Sequence, residues 1–241
     1  MNKAISVVVP TYNERENIQI LVPKILDVFR KHDFNGEIVI VEDPSSDGSA
    51  QVLRDLAATH PEVKVLFRQP PGSLSRAWHE GFQAATKSVI VCIDADLCHD
   101  PAYFAMMFDK MDEYDIVIGS RYLETRGKVM EDKSLLATLC SKLGQHATRF
   151  IFGFEETDTS HSFRMFHKKV FDLISNRLNE EGNVYLVQFL HEAKKAGARV
   201  VEIPIAYGKR IHGKTKLKIS KESVRYFRYV IRSILHRARN G

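Results

Sequence analysis

Short runs of aliphatic and β-branched residues alternate with longer stretches of helical period in the first half of the chain. These runs predict strands at residues 5–9, 37–41, 63–67, 89–93 and 116–118. Strands joined by helices pair in parallel, and a parallel sheet is covered by helices on both faces. The pattern therefore predicts an α/β fold with a mostly parallel sheet flanked by helices.

Polar residues and prolines mark the ends of the first two predicted helices. The first helix is expected to begin near Asn13 as its N-cap, and Pro23 is expected to end or kink its first part. The second helix should begin after the turn at residues 43–48 and end near residues 59–61.

The alternation becomes less regular after Tyr122. The sequence predicts a long helix at residues 135–152, another helix at residues 185–196 and a strand at residues 199–203. The segment at residues 158–166 lies between them without an assigned element.

The chain is long enough for one globular core. It has 241 residues, of which 44% are hydrophobic, and neither a repeat nor a low-complexity linker divides it. We expect a single catalytic domain at residues 1–208, followed by a basic lid loop and an amphipathic C-terminal helix at residues 209–241. The chain lacks an apolar run of the roughly 18 residues that a membrane-spanning helix needs, and a signal peptide's apolar region, which predicts a cytoplasmic location.

Cysteine usage and charge exclude further classes. Cys92, Cys98 and Cys140 are odd in number and lack CxxC spacing, which predicts reduced thiols. The whole chain carries a formal charge of +5, but the segment from Lys209 onward has eleven basic residues and one acidic residue, so the body is acidic. Because the excess of positive charge is confined to the tail, the sequence does not predict a nucleic-acid-binding protein.

Carboxylates follow several of the predicted strands. In open sheets of this kind, ligands bind beyond the carboxyl ends of the strands. The relevant segments are residues 10–14, 42–43, 94–96 and 119–122. The chain has neither the glycine pattern of a dinucleotide fold nor a P-loop, so a metal ion is expected to neutralise a bound phosphate.

The Asp94-Ala95-Asp96 triplet is the candidate metal site. It follows an apolar run typical of a central strand, and two carboxylates that flank a small residue can both reach a hard divalent cation. The alternative is an acidic turn with a structural role.

Several motifs, spaced over nearly the whole chain, are similar to those of one known family. They are residues 9–14, residues 41–49, residues 94–97, residues 119–122, residues 202–205, Arg210 and residues 213–216. In this order they resemble inverting family 2 glycosyltransferases of the GT-A fold, and within that family most closely the polyprenol or dolichol phosphate mannose synthases.

The resemblance implies a reaction and its substrates. The protein would move a hexose, with mannose or glucose favoured, from a nucleoside-diphosphate sugar to an acceptor with inversion. The donor would be GDP-mannose or a UDP- or GDP-hexose, and the acceptor a polyprenyl phosphate. Transfer to a sugar or protein hydroxyl is an alternative, as is a catalytically inactive protein that binds nucleotide sugars.

The resemblance also implies the residues of the donor side. They are Pro10, Tyr12, Glu14, Asp43, Asp94, Ala95, Asp96, Arg210 and Lys216. Asp94 and Asp96 would bind the diphosphate through Mg²⁺ or Mn²⁺, and Asp96 would act in catalysis. Arg210 and Lys216 would close over the diphosphate from a mobile C-terminal loop, in which Gly208 and Gly213 bracket a basic segment. A solvated basic loop is the alternative.

On the acceptor side, the resemblance implies roles for Arg121, Ser141 and His161, with Arg121 facing the acceptor phosphate. An ionised lipid phosphate can attack the sugar without help, whereas a hydroxyl needs a general base. Asp158 is the first candidate for that base and His161 the second.

The chain departs from the family pattern mainly on the acceptor side. His161 and Ser162 stand where the family has Ser and Gly, and Gln188 stands where a carboxylate is expected. The basic residue expected ahead of Ser141 is missing. On the donor side, Cys98 replaces a Gln, and a thiol is a soft ligand poorly suited to Mg²⁺.

The C-terminal segment from Lys221 places apolar residues on one helical stripe, with arginines beside it. The apolar residues are Val224, Phe227, Ile231, Ile234 and Leu235. We expect this stripe to pack on the domain, with peripheral contact to an anionic membrane surface as a further option.

Overall fold

The computed structural model describes residues 3–123, 149–211 and 219–240; in the last range it describes the side chains of residues 222 and 224–235. The described strands form one seven-stranded sheet in the order β3-β2-β1-β4-β6-β5-β7. The strands are β1 (Ala4–Thr11), β2 (Asn35–Glu42), β3 (Val63–Phe67), β4 (Val89–Cys92), β5 (Ile116–Ser120), β6 (Arg164–His167) and β7 (Val200–Pro204). All neighbours pair in parallel except β6, which runs antiparallel to β4 and β5.

Helices cover both faces of the sheet. They are α1 (Arg15–His32), α2 (Ser49–Thr59), α3 (Leu74–Ala84), α4 (Phe104–Phe108), α5 (Lys168–Ile174), α6 (Val184–Lys195) and α7 (Ile219–Asn240). Alternate residues of β1 point to opposite faces: Val7 packs in the cluster that contains α1, and Val8 in the cluster that contains α3. The α3 helix lies so close that a Cβ on Gly81 would stand 2.3 Å from Val8 Cγ1. The α/β fold expected from the sequence is confirmed.

The first helix differs from its predicted boundaries. Glu14 occupies the N-cap position, and Asn13 adopts a positive φ of 50°. The Asn13 side chain instead accepts a hydrogen bond from the Ser46 amide at 2.8 Å. The helix also continues through Pro23, which lies on its exposed face. Packing of the buried apolar side chains on either side outweighs the hydrogen bond that proline removes.

The β6 strand was not predicted. Its four residues include only one aliphatic side chain, so the sequence has no β-branched run to signal a strand. It forms because it pairs on both sides, with β4 and with β5. The predicted helix at residues 135–152 lies outside the described residues except for its last turn, residues 149–152, which is helical.

The apolar stripe of α7 faces outward, so the expectation that it packs on the domain is wrong. Val224, Phe227, Ile231, Ile234 and Leu235 are between 42% and 68% exposed. The opposite face makes the contact instead, because Tyr229 is 5% exposed, stacks on Phe152 and hydrogen-bonds His191. Within the described ranges, no helix is both long and apolar enough to cross a membrane.

Candidate active site

The carboxyl ends of β1, β2, β4 and β5 meet along one edge of the sheet. Thr11 lies opposite Glu42 in the register of β1 and β2, and its hydroxyl donates to the Glu42 carboxylate. The next amide, that of Asp43, donates to the Thr11 carbonyl at 2.9 Å. Strand order reverses around β1 and β4, which is where ligands bind in open α/β sheets.

Asp43 forms one wall of the edge together with Arg68, a residue that the sequence did not single out. Arg68 follows β3 and is buried; its Nη1 donates to Asp43 Oδ1 and its Nε to Glu80 Oε2 at 2.9 Å. Among the described atoms its Nη2 has no partner. A Cβ on Gly72 would lie 2.7 Å from Asp43 Oδ2, so glycine permits a close approach there. The position of Arg68 at a strand end was the signal available in the sequence.

The other expected nucleoside residues lie around the end of β1. Pro10 pairs with Val41 inside the sheet, and Tyr12 is 45% exposed beyond it. The Glu14 carboxylate is buried and accepts a hydrogen bond from Asn17 Nδ2. Tyr12 therefore offers an accessible ring, while Pro10 is a sheet residue.

The Asp94-Ala95-Asp96 triplet forms a tight turn after β4. Asp94 Oδ2 accepts a hydrogen bond from the Ser162 hydroxyl at 2.6 Å, and Asp96 Oδ1 accepts one from the Cys98 amide at 3.1 Å. Leu97 holds a positive φ of 61°, a strained conformation for a bulky residue. Desolvation and the neighbouring Asp96 charge raise the pKa of Asp94 to about 7. The two carboxylates are therefore close enough to repel each other.

The donor set of this turn fits a hard divalent cation, because it consists of two carboxylates that would be stabilised by a positive charge. Among the described residues, no cluster of three or more His, Cys, Asp or Glu side chains is arranged to hold a metal ion, so further ligands would have to come from a substrate or water. Cys98 is not suited to this role. Burial and the Asp96 charge raise the pKa of its thiol to about 12, which keeps it protonated at neutral pH.

Arg121 and Asp158 form a buried pair after β5. Arg121 donates from Nε to Asp158 Oδ2 and from Nη2 to Asp158 Oδ1, both at 2.8 Å. Burial alone would raise the pKa of Asp158, but His161 and the Arg121 guanidinium lower it below its usual value. The backbone of this segment is fixed by Glu202, whose carboxylate accepts from the amides of Thr157 and Asp158 at 2.7 and 2.8 Å. Asp158 is therefore ionised and fully engaged, which makes it a weak base.

Two buried histidines connect the Asp158 segment to the turn after β4. His161 Nδ1 lies 2.6 Å from the Gly119 carbonyl, which can only accept, so this nitrogen carries the proton. His161 Nε2 then accepts a hydrogen bond from His99 Nε2 at 2.7 Å. His99 also stacks on Phe163, with 5.0 Å between ring centres. The pair spans 62 positions in sequence and was not predicted.

Burial of His161 in its pair with His99 should make the free energy of unfolding depend on pH. Burial lowers the pKa of His161 to about 4, whereas an unfolded histidine titrates near about 6.5. Between these values the unfolded chain binds a proton that the folded protein does not, so stability should fall as pH drops from 6.5 towards 4. The loss attributable to His161 should reach about 3 kcal/mol.

Urea unfolding of the wild type and His161→Ser between pH 7.5 and 4.5 measures this effect. The difference in free energy of unfolding between the two proteins should change across the range, and His60→Ser should not reproduce the change. A difference that stays constant with pH would show that His161 titrates normally in the folded protein.

The remaining expected residues are placed as follows. Gln188 holds the loop before α6, because its Oε1 accepts from the amides of Asn179 and Glu180, both at 2.9 Å. Ser162 contacts Asp94, so this departure from the family pattern adds a hydrogen bond to the acidic turn. Ser141 and Lys216 lie outside the described residues.

Two curated relatives have names that describe mannose transfer involving a polyprenol or dolichol phosphate. The chain is 34% identical over 233 residues to a dolichol-phosphate mannosyltransferase of Pyrococcus furiosus, covering 95% of this chain and 63% of that protein. It is 29% identical to a polyprenol monophosphomannose synthase of Mycolicibacterium smegmatis, covering 97% of this chain and 89% of that one. The chain thus spans less than two thirds of the Pyrococcus protein and most of the mycobacterial one.

Solved structures share the fold. Glucosyl-3-phosphoglycerate synthase of Mycobacterium tuberculosis, in complex with UDP, matches with a TM-score of 0.68 at 14% identity, over 95% of this chain and 80% of that one. A complex of the same enzyme with Mn²⁺, UDP-glucose and glycerol 3-phosphate matches with a TM-score of 0.67. The shared fold is GT-A. Residues 6–174, most of the chain, match the sequence profile of Glycosyl transferase family 2, and the chain belongs to that family.

Proposed function

We propose that this protein transfers a hexose, with mannose favoured, from a nucleoside-diphosphate sugar to a polyprenyl phosphate with inversion. The observation that carries the proposal is the acidic pair Asp94 and Asp96 with two guanidinium groups close by, those of Arg210 and Arg121. Such a site can bind a cation and two phosphate groups together. The named activities of the curated relatives agree with this substrate class.

On the donor side, Asp43, with Arg68 behind it, and Tyr12 would hold the nucleoside. Asp94 and Asp96 would hold Mg²⁺ or Mn²⁺, which when bound neutralises the diphosphate and stabilises it as a leaving group. Arg210 contacts Asp96 at 2.9 Å and is close enough to bind a diphosphate held there.

On the acceptor side, the state of Asp158 favours a phosphate. Asp158 uses both oxygens to bind Arg121 and has a lowered pKa, so it is a poor acceptor for the proton of a hydroxyl. An ionised phosphate needs no base. Its oxygen would form a bond to the anomeric carbon as the bond from that carbon to the donor phosphate oxygen breaks, and this single displacement inverts the configuration.

The direct test is transfer of radiolabelled sugar from GDP-mannose, GDP-glucose, UDP-glucose and UDP-GlcNAc to a short polyprenyl phosphate, with Mn²⁺ or EDTA. We expect transfer from one of the hexose donors, abolished by EDTA. Binding of a nucleoside diphosphate without transfer to any acceptor would favour an inactive nucleotide-sugar-binding protein. Transfer to a sugar hydroxyl but not to the phosphate would overturn the acceptor assignment.

We further propose that α7 contacts the cytoplasmic face of an anionic membrane, from which a polyprenyl phosphate would be drawn. Its exposed stripe of five apolar residues lies on a helix with six basic residues and one acidic residue. The opposite face is held to the domain, since Glu222 accepts a hydrogen bond from the Asn183 amide at 2.9 Å and Tyr229 is buried. An outward apolar stripe with a basic flank is typical of a helix in the membrane interface.

The double substitution Phe227→Ser and Leu235→Ser should weaken binding to vesicles containing phosphatidylglycerol by about 10-fold or more. Each apolar side chain contributes to the free energy of binding when it is buried in the membrane interface. Co-sedimentation with neutral and anionic vesicles measures this. Leu173→Ser and Met106→Ser, which are 58% and 47% exposed on other elements, form the matched control. A dimer in light scattering that the α7 substitutions dissociate would show instead that a second copy covers the stripe.

A further inference from the structure

The Arg210 guanidinium bridges two carboxylates from different strand ends. Its Nη2 donates to Asp96 Oδ2 at 2.9 Å, and its Nη1 donates to Glu14 Oε1 at 3.1 Å. The side chains of Asp96 and Glu14 are 11% and 9% exposed, and that of Arg210 is 25% exposed. Because these groups are mostly removed from water, solvent and salt screen the charges of the bridge less than those of an ordinary surface ion pair.

The bridge uses the part of Asp96 that a metal ion would need. Asp96 Oδ1 accepts the Cys98 amide at 3.1 Å, which leaves Oδ2 for outer contacts, and Arg210 binds Oδ2. A guanidinium and a divalent cation on the same oxygen repel each other. A cation that binds Asp96 must therefore displace Arg210, or Arg210 lowers its affinity for Asp96.

The backbone near Arg210 is anchored, so this exchange can be local. The Gly208 amide donates to the Cys98 carbonyl at 2.9 Å, which ties the root of the segment to the turn that carries Asp96. The Arg210 side chain reaches its partners from only two residues further on. A short movement of this side chain would release Asp96 while keeping the guanidinium next to anything bound there.

We propose that Arg210 makes divalent-cation binding at Asp96 conditional on a nucleoside diphosphate. The inference rests on the donor side of the proposed function. Without a diphosphate, Arg210 competes with the cation for Asp96 Oδ2. A diphosphate offers several anionic oxygens that a guanidinium can bind through two parallel hydrogen bonds, so Arg210 moves from Asp96 to the diphosphate and leaves Oδ2 to the cation. Arg210 thus competes with the cation when no nucleotide is bound and stops competing when the nucleotide is bound.

This role predicts that the effect of one substitution on Mn²⁺ affinity depends on the nucleotide. Arg210→Gln should bind Mn²⁺ about 10-fold more tightly than the wild type without nucleotide, because the competing charge is gone. With saturating GDP or UDP, whichever nucleotide the wild type binds, the two proteins should bind Mn²⁺ with affinities within about 2-fold of each other, because the nucleotide already holds Arg210 away from Asp96 in the wild type. A residue that only stabilises the fold would change the Mn²⁺ affinity by the same factor with and without nucleotide.

The measurement is Mn²⁺ titration followed by electron paramagnetic resonance of the free ion, with no nucleotide, with GDP and with UDP. Arg76→Gln, at an arginine that is 61% exposed and pairs with Glu80, is the matched control and should behave as the wild type. Arg210→Lys, which keeps the charge but lacks the fork that spans two carboxylates, should fall between wild type and Arg210→Gln. Circular dichroism of each variant checks folding.

Equal Mn²⁺ affinities of wild type and Arg210→Gln without nucleotide, or no Mn²⁺ binding by either protein, would overturn the inference. Sugar transfer measured on the same preparations separates it from the proposed function. If transfer requires Mn²⁺ and yet the affinities do not differ, the conditional role of Arg210 is wrong and the transferase stands. If no donor supports transfer but Arg210→Gln binds Mn²⁺ more tightly only in the absence of nucleotide, the role of Arg210 stands and the proposed reaction is wrong.

Discussion

Replacing Asp96 with Asn should lower sugar transfer by about 10²- to 10³-fold, the cost typical of removing one electrostatic contact to a developing charge. Asparagine keeps the side-chain oxygen that accepts the Cys98 amide, so the turn should be preserved. It removes the negative charge that holds Arg210 and that would hold a divalent cation. The loss should appear mainly in kcat, because the charge on the leaving diphosphate grows as the bond to the sugar breaks.

Steady-state transfer to a polyprenyl phosphate, with near- and far-ultraviolet circular dichroism as the folding check, measures this change. Asp94→Asn should lower the transfer rate by a similar factor. Asp112→Asn, on the exposed segment after α4, should leave the transfer rate unchanged. Full activity of both Asp96→Asn and Asp94→Asn would leave the acidic turn with a structural role only, which is the alternative that the sequence left open.

The sequence predicted the strand ends that carry the proposed donor residues, because strand ends can be located from local pattern. The apolar run before Asp94 and the runs before Thr11 and Glu42 identify β4, β1 and β2, and parallel pairing places their carboxyl ends together. Thr11 and Glu42 are accordingly paired in the register. Hydrophobic periodicity and the geometry of parallel sheets place these strand ends together, whereas the roles of the individual donor residues came from the family resemblance.

The acceptor edge depends on contacts that local pattern does not encode. Arg121 meets Asp158 across 37 positions, and His99 meets His161 across 62. These contacts form because β6 lies in the sheet between β4 and β5 and runs antiparallel to both, which brings the residues just before it next to the ends of those strands. Since β6 lacks a strand signal of its own, neither its existence nor the contacts that it creates could be predicted from periodicity.

The orientation of α7 shows a second limit. An amphipathic pattern shows which residues share a face of a helix, but two faces of this helix could pack on the domain. One is the apolar stripe, and the other carries Tyr226 and Tyr229. The tyrosine face packs because Tyr229 fits against Phe152 and His191. The identity of the partner surface, which is set by residues far away in the sequence, decided between the two.

Asp158→Asn should lower the free energy of unfolding by about 3–5 kcal/mol, because it removes the negative charge that Asp158 places against the buried Arg121 guanidinium. The double variant Asp158→Asn with Arg121→Gln should recover part of that loss, since it removes the buried positive charge as well. Asp115→Asn is the matched control: its carboxylate pairs with the exposed side chains of Lys169 and Arg199, and its loss should cost about 1 kcal/mol or less.

The pH dependence of the stability of Asp158→Asn, compared with the wild type, checks that Asp158 is ionised in the folded protein. Because the pKa of Asp158 is lowered in the folded protein, its contribution to stability should be present above the unfolded value of about 3.9 and be lost as pH falls further. Urea unfolding from pH 7 to pH 3 should therefore show wild type and Asp158→Asn converging only at the acid end. Convergence near neutral pH would mean that Asp158 takes up a proton there, and Asp158 would then return as the general base for a hydroxyl acceptor.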